Sequence, residues 1–166
     1  MASLPKCIES IVESLDEQEI RDLARWYKCL RTPEKMNVKR FLPSVYEWGR
    51  TNLGDASYLL ALAIGSSISR RDYSDVDFLL VGNKSWSEMN EQLRLGQVLE
   101  GDFKCVVETR HNFLYSKVFG SNQRTILRIN PSVNGVYFHL SFQPEIPSED
   151  TWNSIDKRQR IPIFRL

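Results

Sequence analysis

Two apolar runs joined by a glycine-serine turn constrain this chain more than any other feature. Tyr58 to Ile64 (YLLALAI) ends at Gly65-Ser66-Ser67, and a second run carries Asp75 and Asp77 two residues apart among Val76, Phe78, Leu79, Leu80 and Val81. Successive side chains of a strand leave opposite faces, so both carboxylates share one face while Val76, Phe78 and Leu80 turn to a core on the other. At the turn between the runs, glycine lets the backbone approach an anion and the hydroxyls can donate to it. Ser67 to Arg71 then reads as a short helix, whose N-terminus favours negative charge. Anion donors and a carboxylate pair are thereby brought to the ends of neighbouring strands.

The order of apolar strand, Gly-Ser, short helix and Asp-x-Asp on the next strand resembles the signature of the nucleotidyltransferase superfamily, which includes DNA polymerase beta and the minimal nucleotidyltransferases. The residues that carry the resemblance are Gly65, Ser66, Asp75 and Asp77, with eight residues between Ser66 and Asp75. It spans about Tyr58 to Gln143. It implies a two-metal mechanism in which Asp75 and Asp77 hold two Mg2+ ions, one on the triphosphate of an NTP donor and one activating an attacking hydroxyl. Gly65, Ser66 and Ser67 would contact the phosphates, and Arg70 and Arg71, between the turn and the aspartates, would reach the triphosphate or the pyrophosphate leaving group. The other reading of the two arginines is an exposed loop pair balancing Asp72.

Relatives add a third carboxylate on a later strand, and here the chain departs from them. Thr125 to Asn130 (TILRIN) reads as a strand, 131–135 as a loop with an Asn-Gly turn signal, and Val136 to Gln143 as a returning strand. Val136, Phe138, Leu140 and Phe142 form its apolar face, which leaves Tyr137, His139, Ser141 and Gln143 on the polar face with no acid among them. Three readings stay open. His139 replaces the missing acid as ligand or general base, because a neutral imidazole accepts a proton near pH 7; its alternative is a half-exposed residue making an ordinary hydrogen bond. Glu108, on a strand predicted over Phe103 to Thr109, supplies the acid, or is a solvated strand end. Otherwise catalysis is lost while nucleotide or partner binding survives.

Ahead of the motif, Ile8, Ile11, Val12 and Leu15, and then Ile20, Leu23, Ala24 and Tyr27, fall at helical spacing. Asp16 and Glu19 have the outline of a capping box, and Thr32-Pro33 is expected to close the second helix. A third helix is expected after Pro43, with Val45 and Trp48 inward, ending near Asn52-Leu53-Gly54. Trp26, Tyr27, Tyr46 and Trp48 fit a core and also fit a partner surface. After the motif, Ser85 caps a predicted helix carrying Trp86, Met89 and Leu93, and Phe113 to Phe119 is a further strand candidate. The C-terminal segment is basic at Asp156 to Arg160 and then apolar at Ile161 to Phe164, suited to docking on the body or lying across a groove.

These elements predict an α+β fold, a nucleotidyltransferase-like mixed β-sheet with helices packed mainly on one side and an N-terminal helical segment. A single domain is expected, with a helical segment over 1–53, a core over 58–143 and a tail over 144–166. The 166 residues, 42% apolar and 26% charged, are enough to bury a full core. A net charge of +1 gives no global field of the kind a dedicated nucleic-acid binder carries. Nucleic acid is therefore compatible as a partner but not indicated, and a protein or small-molecule acceptor is equally open. Cys7, Cys29 and Cys105 lack disulfide or metal-ligand spacing and read as reduced thiols, and no stretch reads as a signal peptide or membrane span, so a cytoplasmic protein is expected. The resemblance implies transfer of a nucleoside monophosphate from an NTP to a hydroxyl, the alternative being a catalytically impaired binding or regulatory subunit.

Overall fold

A computed structural model describes residues 4–52, 59–69, 72–73, 75–82, 95, 103–111, 123–131, 137–143 and 160–166. Three helices lead: α1 (Lys6–Glu9), α2 (Glu17–Cys29) and α3 (Thr32–Asn52). Then come β1 (Leu59–Ile64), a 3-10 turn (Ser66–Ile68), β2 (Asp75–Gly82), β3 (Phe103–His111), β4 (Gln123–Pro131), β5 (Tyr137–Gln143) and β6 (Arg160–Arg165). The predicted helix after Ser85, the Phe113 to Phe119 strand candidate, and Arg70 and Arg71 lie outside the described residues.

The strands form a sheet in the order β3-β4-β5-β2-β1-β6. The sheet is mixed, because β2 and β5 run parallel while the other neighbours are antiparallel. Helices cover one face, where Ala61, Ala63, Val76, Phe78, Leu80, Phe138 and Leu140 join the helical residues in one buried cluster. Phe41 of α3 is its keystone, with ring centroids 5.0 Å from Phe78 and 5.5 Å from Phe138. The expected α+β class, mixed sheet and N-terminal helical segment are all present. On the opposite face Leu62, Ile64, Leu79 and Val81 form a second buried cluster, so the carboxylate face of β2 is apolar along the rest of its length.

The helical segment differs from expectation in three ways. The α1 helix is a single turn of four residues, although Ile8, Ile11, Val12 and Leu15 are all buried as the spacing requires. Pro33 does not close α2. It enters the first turn of α3, where its missing N–H is not needed, and α2 ends instead at Leu30 in an extended conformation. Pro43 does not start a helix but lies inside α3, whose stripe Val38, Phe41, Leu42, Val45 and Trp48 is buried on both sides of it. A proline at 43 leaves the carbonyl of Lys39 without its helical donor. The Cys7 thiol donates to that carbonyl at 3.7 Å, replacing part of what is lost. The capping box forms as expected: the Glu19 N–H donates to Asp16 Oδ1 at 2.8 Å and the Asp16 N–H to Glu19 Oε1 at 3.1 Å.

β6 extends the sheet where a docked tail was one of two expectations. It pairs antiparallel with β1 through a bulge opposite Ala61 and Leu62, at a sheet edge, where Pro162 is tolerated. Arg165 fastens it: its backbone N–H donates to Ser14 Oγ at 2.9 Å, and its guanidinium makes a two-pronged contact with Glu19, Nη1 to Oε1 at 2.9 Å and Nη2 to Oε2 at 2.5 Å. No helix among the described residues is long and apolar enough to cross a membrane.

Candidate functional site

β1 and β2 are antiparallel neighbours, and their register sets Ile64 opposite Asp77. The residue after Ile64 is therefore delivered to the Asp77 side chain. Gly65 has φ 83° and ψ −162°, a region open essentially to glycine alone. A Cβ there would meet Asp77 Oδ2 at 2.5 Å. Glycine is thus required twice, for its backbone angle and for the space the carboxylate fills. The sequence reading anticipated close approach of a ligand at Gly65; the group that fills this space is Asp77 itself.

β2 and β5 lie parallel, with Asp75 opposite Tyr137 and Asp77 opposite His139. His139 is 4% exposed, not half-exposed, and its Nδ1 lies 3.2 Å from Asp77 Oδ1 and 3.9 Å from Asp75 Oδ2. Contact with a carboxylate oxygen assigns the ring hydrogen to Nδ1, which donates to Asp77. Nε2 is buried without a hydrogen-bond partner among the described residues. The two aspartate side chains keep about 30% of their surface, 31% for Asp75 and 28% for Asp77, so both remain reachable from solvent. His139, distant in sequence from the aspartate pair, is thereby gathered with Asp75 and Asp77 at one place.

The entry to β2 is held by residues that no local pattern singles out. Tyr73 is buried, and its hydroxyl donates to Glu34 Oε2 at 3.3 Å while accepting from the Arg31 N–H at 3.0 Å. Arg31 also ion-pairs with Glu34 at 3.3 Å and lies over the Tyr73 ring at 4.3 Å. This cluster ties the segment before Asp75 to the α2–α3 junction. Tyr73 lies about forty positions from Arg31 and Glu34, so only the folded chain unites it with them.

The Gly-Ser turn continues into a 3-10 turn over Ser66–Ile68, shorter than the helix expected over Ser67 to Arg71. Ser66 is half-buried beside Gly65. Ser67 is 4% exposed, and its Oγ accepts from Trp26 Nε1 at 3.2 Å. Its hydroxyl is thus engaged beneath the turn, where it fastens the turn to α2. Glu108 sits on β3, three strands from β2, or about 14 Å between backbones. Its register partner Ile126 pairs with Ser141, two residues along the sheet from the row of Asp77 and His139. That placement sets the Glu108 backbone apart from the aspartates. Among the described residues no group of three or more His, Cys, Asp or Glu is arranged to hold a metal ion.

No protein-family model matches the chain, and no curated protein matches it. Among solved structures, the chain is similar to one from the poly(A) polymerase complex GLD-2–GLD-3, at 16% identity and a TM-score of 0.42. The match covers 78% of this chain and 41% of that one, so the chain spans less than half of that neighbour's length.

Proposed function

We propose that the chain is a nucleotidyltransferase that moves a nucleoside monophosphate from an NTP to a hydroxyl acceptor, with pyrophosphate as leaving group. The observation that carries this reading is the seating of the Asp77 carboxylate on Gly65, which puts the Gly-Ser turn and the Asp-x-Asp pair in direct contact. That contact gives the phosphate-binding elements and the carboxylates a common location.

The donor set suits a hard divalent cation such as Mg2+. Two carboxylates on one strand face, partly open to solvent, leave further ligand positions to the phosphates of a nucleotide. The set suits one ion better than two, because an imidazole stands in the row beside Asp77 where a third acid would be expected. When bound, such a cation neutralises the triphosphate and makes the acceptor hydroxyl a stronger nucleophile. Asp75 and Asp77 supply the carboxylate oxygens. His139, through Nδ1, fixes the orientation of Asp77. Gly65 and Ser66 contact the phosphates through backbone and hydroxyl, Ser67 acts through its backbone, and Arg70 and Arg71 take the leaving pyrophosphate.

His139 also favours a second reading, a nucleotide-binding or regulatory subunit that retains binding without turnover. Losing a catalytic acid lowers the chemical rate far more than it weakens nucleotide affinity. The two readings separate in one assay of pyrophosphate release from each NTP with Mg2+ and a panel of protein, RNA and small-molecule hydroxyl acceptors. Release that Asp77→Asn abolishes supports the transferase. Mg2+-dependent NTP binding with no release from any acceptor supports the binding subunit.

A further inference from the structure

Trp26 of α2 touches both halves of the candidate site from the helical side of the sheet. Its indole N–H donates to the Oγ of Ser67, two residues after Gly65, and its ring stands edge-to-face with Phe78, the residue after Asp77, at 6.0 Å between centroids and 88° between planes. Both ends of the hydrogen bond are buried, Trp26 at 3% exposure and Ser67 at 4%. An indole N–H can only donate, so a shift of the turn that broke this bond would leave a buried donor without an acceptor. Bonds within the turn hold it less firmly. Its residues Ser66–Ile68 are closed by two backbone bonds, from the Ile68 N–H to the Gly65 carbonyl at 3.3 Å and from the Ser69 N–H to the Ser66 carbonyl at 3.2 Å, both longer than the commonest N–H···O length.

We propose that Trp26 is a positioning residue for the nucleotide site, fixing the Gly65-Ser66 turn relative to the Asp75–Asp77 strand by bonding the turn through its N–H and packing on the strand through its ring. The role rests on the nucleotidyltransferase reading of the turn and the aspartates. In that reading the phosphates meet the donors of the turn and a cation held by Asp75 and Asp77 at once, so the spacing of turn and carboxylates decides whether both contacts form together. Two features set that spacing. The Asp77 carboxylate seated on Gly65 limits how near the turn can come to it, and the Trp26–Ser67 bond tethers the turn to the core. Trp26 reaches Ser67 from 41 positions away and makes both contacts with one rigid indole, so turn and strand are set from the same group. A misplacement of about 1 Å costs about 100-fold at a reacting centre, so a bond that touches no phosphate governs the rate through the turn that does.

The test compares Trp26→Phe, which keeps an aromatic ring for Phe78 and loses the N–H, with Ser67→Ala, which keeps the indole and loses its acceptor, and with the double variant. Amide hydrogen exchange reads the turn: protection of the Ile68 and Ser69 N–H groups should fall at least about fivefold in each variant, the worth of one neutral hydrogen bond, while the amides of the β1–β2 ladder keep theirs. Isothermal titration of the same proteins should show Mg2+-NTP affinity at least about fivefold weaker and Mg2+ alone bound as in wild type, a split that general loosening of the fold does not produce. The double variant should bind no worse than the weaker single variant, because both substitutions remove the same bond. Unchanged exchange in the turn, undiminished Mg2+-NTP affinity in folded Trp26→Phe, an equal loss for Mg2+ alone, or additive losses in the double variant each overturn the proposal. Should Trp26→Phe fail to fold, Ser67→Ala decides by the same readings. Wild-type protein that binds no Mg2+-NTP removes the nucleotidyltransferase reading and the positioning role together; wild-type binding that survives both substitutions removes the positioning role alone.

Discussion

Gly65→Ala is the substitution that most closely interrogates the site. The added methyl group would lie 2.5 Å from Asp77 Oδ2, and ordinary contact begins near 3.4 Å, so the carboxylate must retreat by roughly 0.9 Å. The backbone at φ 83° and ψ −162° adds its own cost of about 1–3 kcal/mol for any residue with a Cβ. Relieving the overlap with the carboxylate adds about 1–3 kcal/mol more. A misplacement of this size at a reacting centre costs about 100-fold in rate. Chemical denaturation of wild type, Gly65→Ala, Asp77→Ala and the double variant separates the two costs. Removing the Asp77 carboxylate leaves only its Cβ, at 3.4 Å, so Gly65→Ala should cost less in that background by the overlap contribution. An equal cost in both backgrounds, or wild-type stability and activity in Gly65→Ala, would refute the reasoning.

Three further predictions rest on other parts of the fold. His139→Asp returns an acid to the row beside Asp77 and should raise Mg2+ affinity and pyrophosphate release; unchanged or lower values of both, in folded protein, would show that imidazole is the group the site requires. The Arg165 hydrogen bond holds the Glu19 carboxyl below the usual carboxylate range, so this pair stabilises the fold above the unfolded Glu pKa, and the contribution is lost as pH falls through the depressed folded value. Glu19→Gln should therefore cost about 1 kcal/mol at pH 7 after allowance for the exposed Arg165, shrinking towards zero in acid, and a cost independent of pH would contradict the pairing. Pro43→Ala restores a helical donor to the Lys39 carbonyl and should stabilise the protein by about 1 kcal/mol, with Cys7→Ala costing less in that background than alone; additive urea-denaturation energies would deny the link.

What the sequence revealed divides by the range of the interactions involved. Asp75 and Asp77 on one face, the Asp16–Glu19 capping box, and the antiparallel β4–β5 pair follow from alternation, spacing and turn residues a few positions apart, and all were legible. The role of Pro33 and Pro43 was not, because local rules treat proline as a breaker, whereas the buried stripe from Val38 to Trp48 and the Cys7 thiol from α1 outweigh that tendency. β6 was missed as a strand because its partner β1 lies about a hundred residues earlier and Pro162 interrupts its pattern. Within the site, alternation placed His139 on the polar face, but only the parallel register of β2 and β5 brings it to Asp77 and buries it. The Tyr73–Glu34–Arg31 cluster and the Trp26–Ser67 bond likewise depend on α2 and α3 folding back over the sheet.

The central claim is that Asp75 and Asp77 form a cation-dependent nucleotide site against the Gly65-Ser66 turn. Isothermal titration with each NTP, with and without Mg2+, in wild type and in the Asp75→Ala, Asp77→Ala double variant, tests it directly. The account predicts NTP binding that requires Mg2+ and disappears in the folded double variant; folded wild-type protein that binds no NTP, or a double variant that binds as well as wild type, would contradict it.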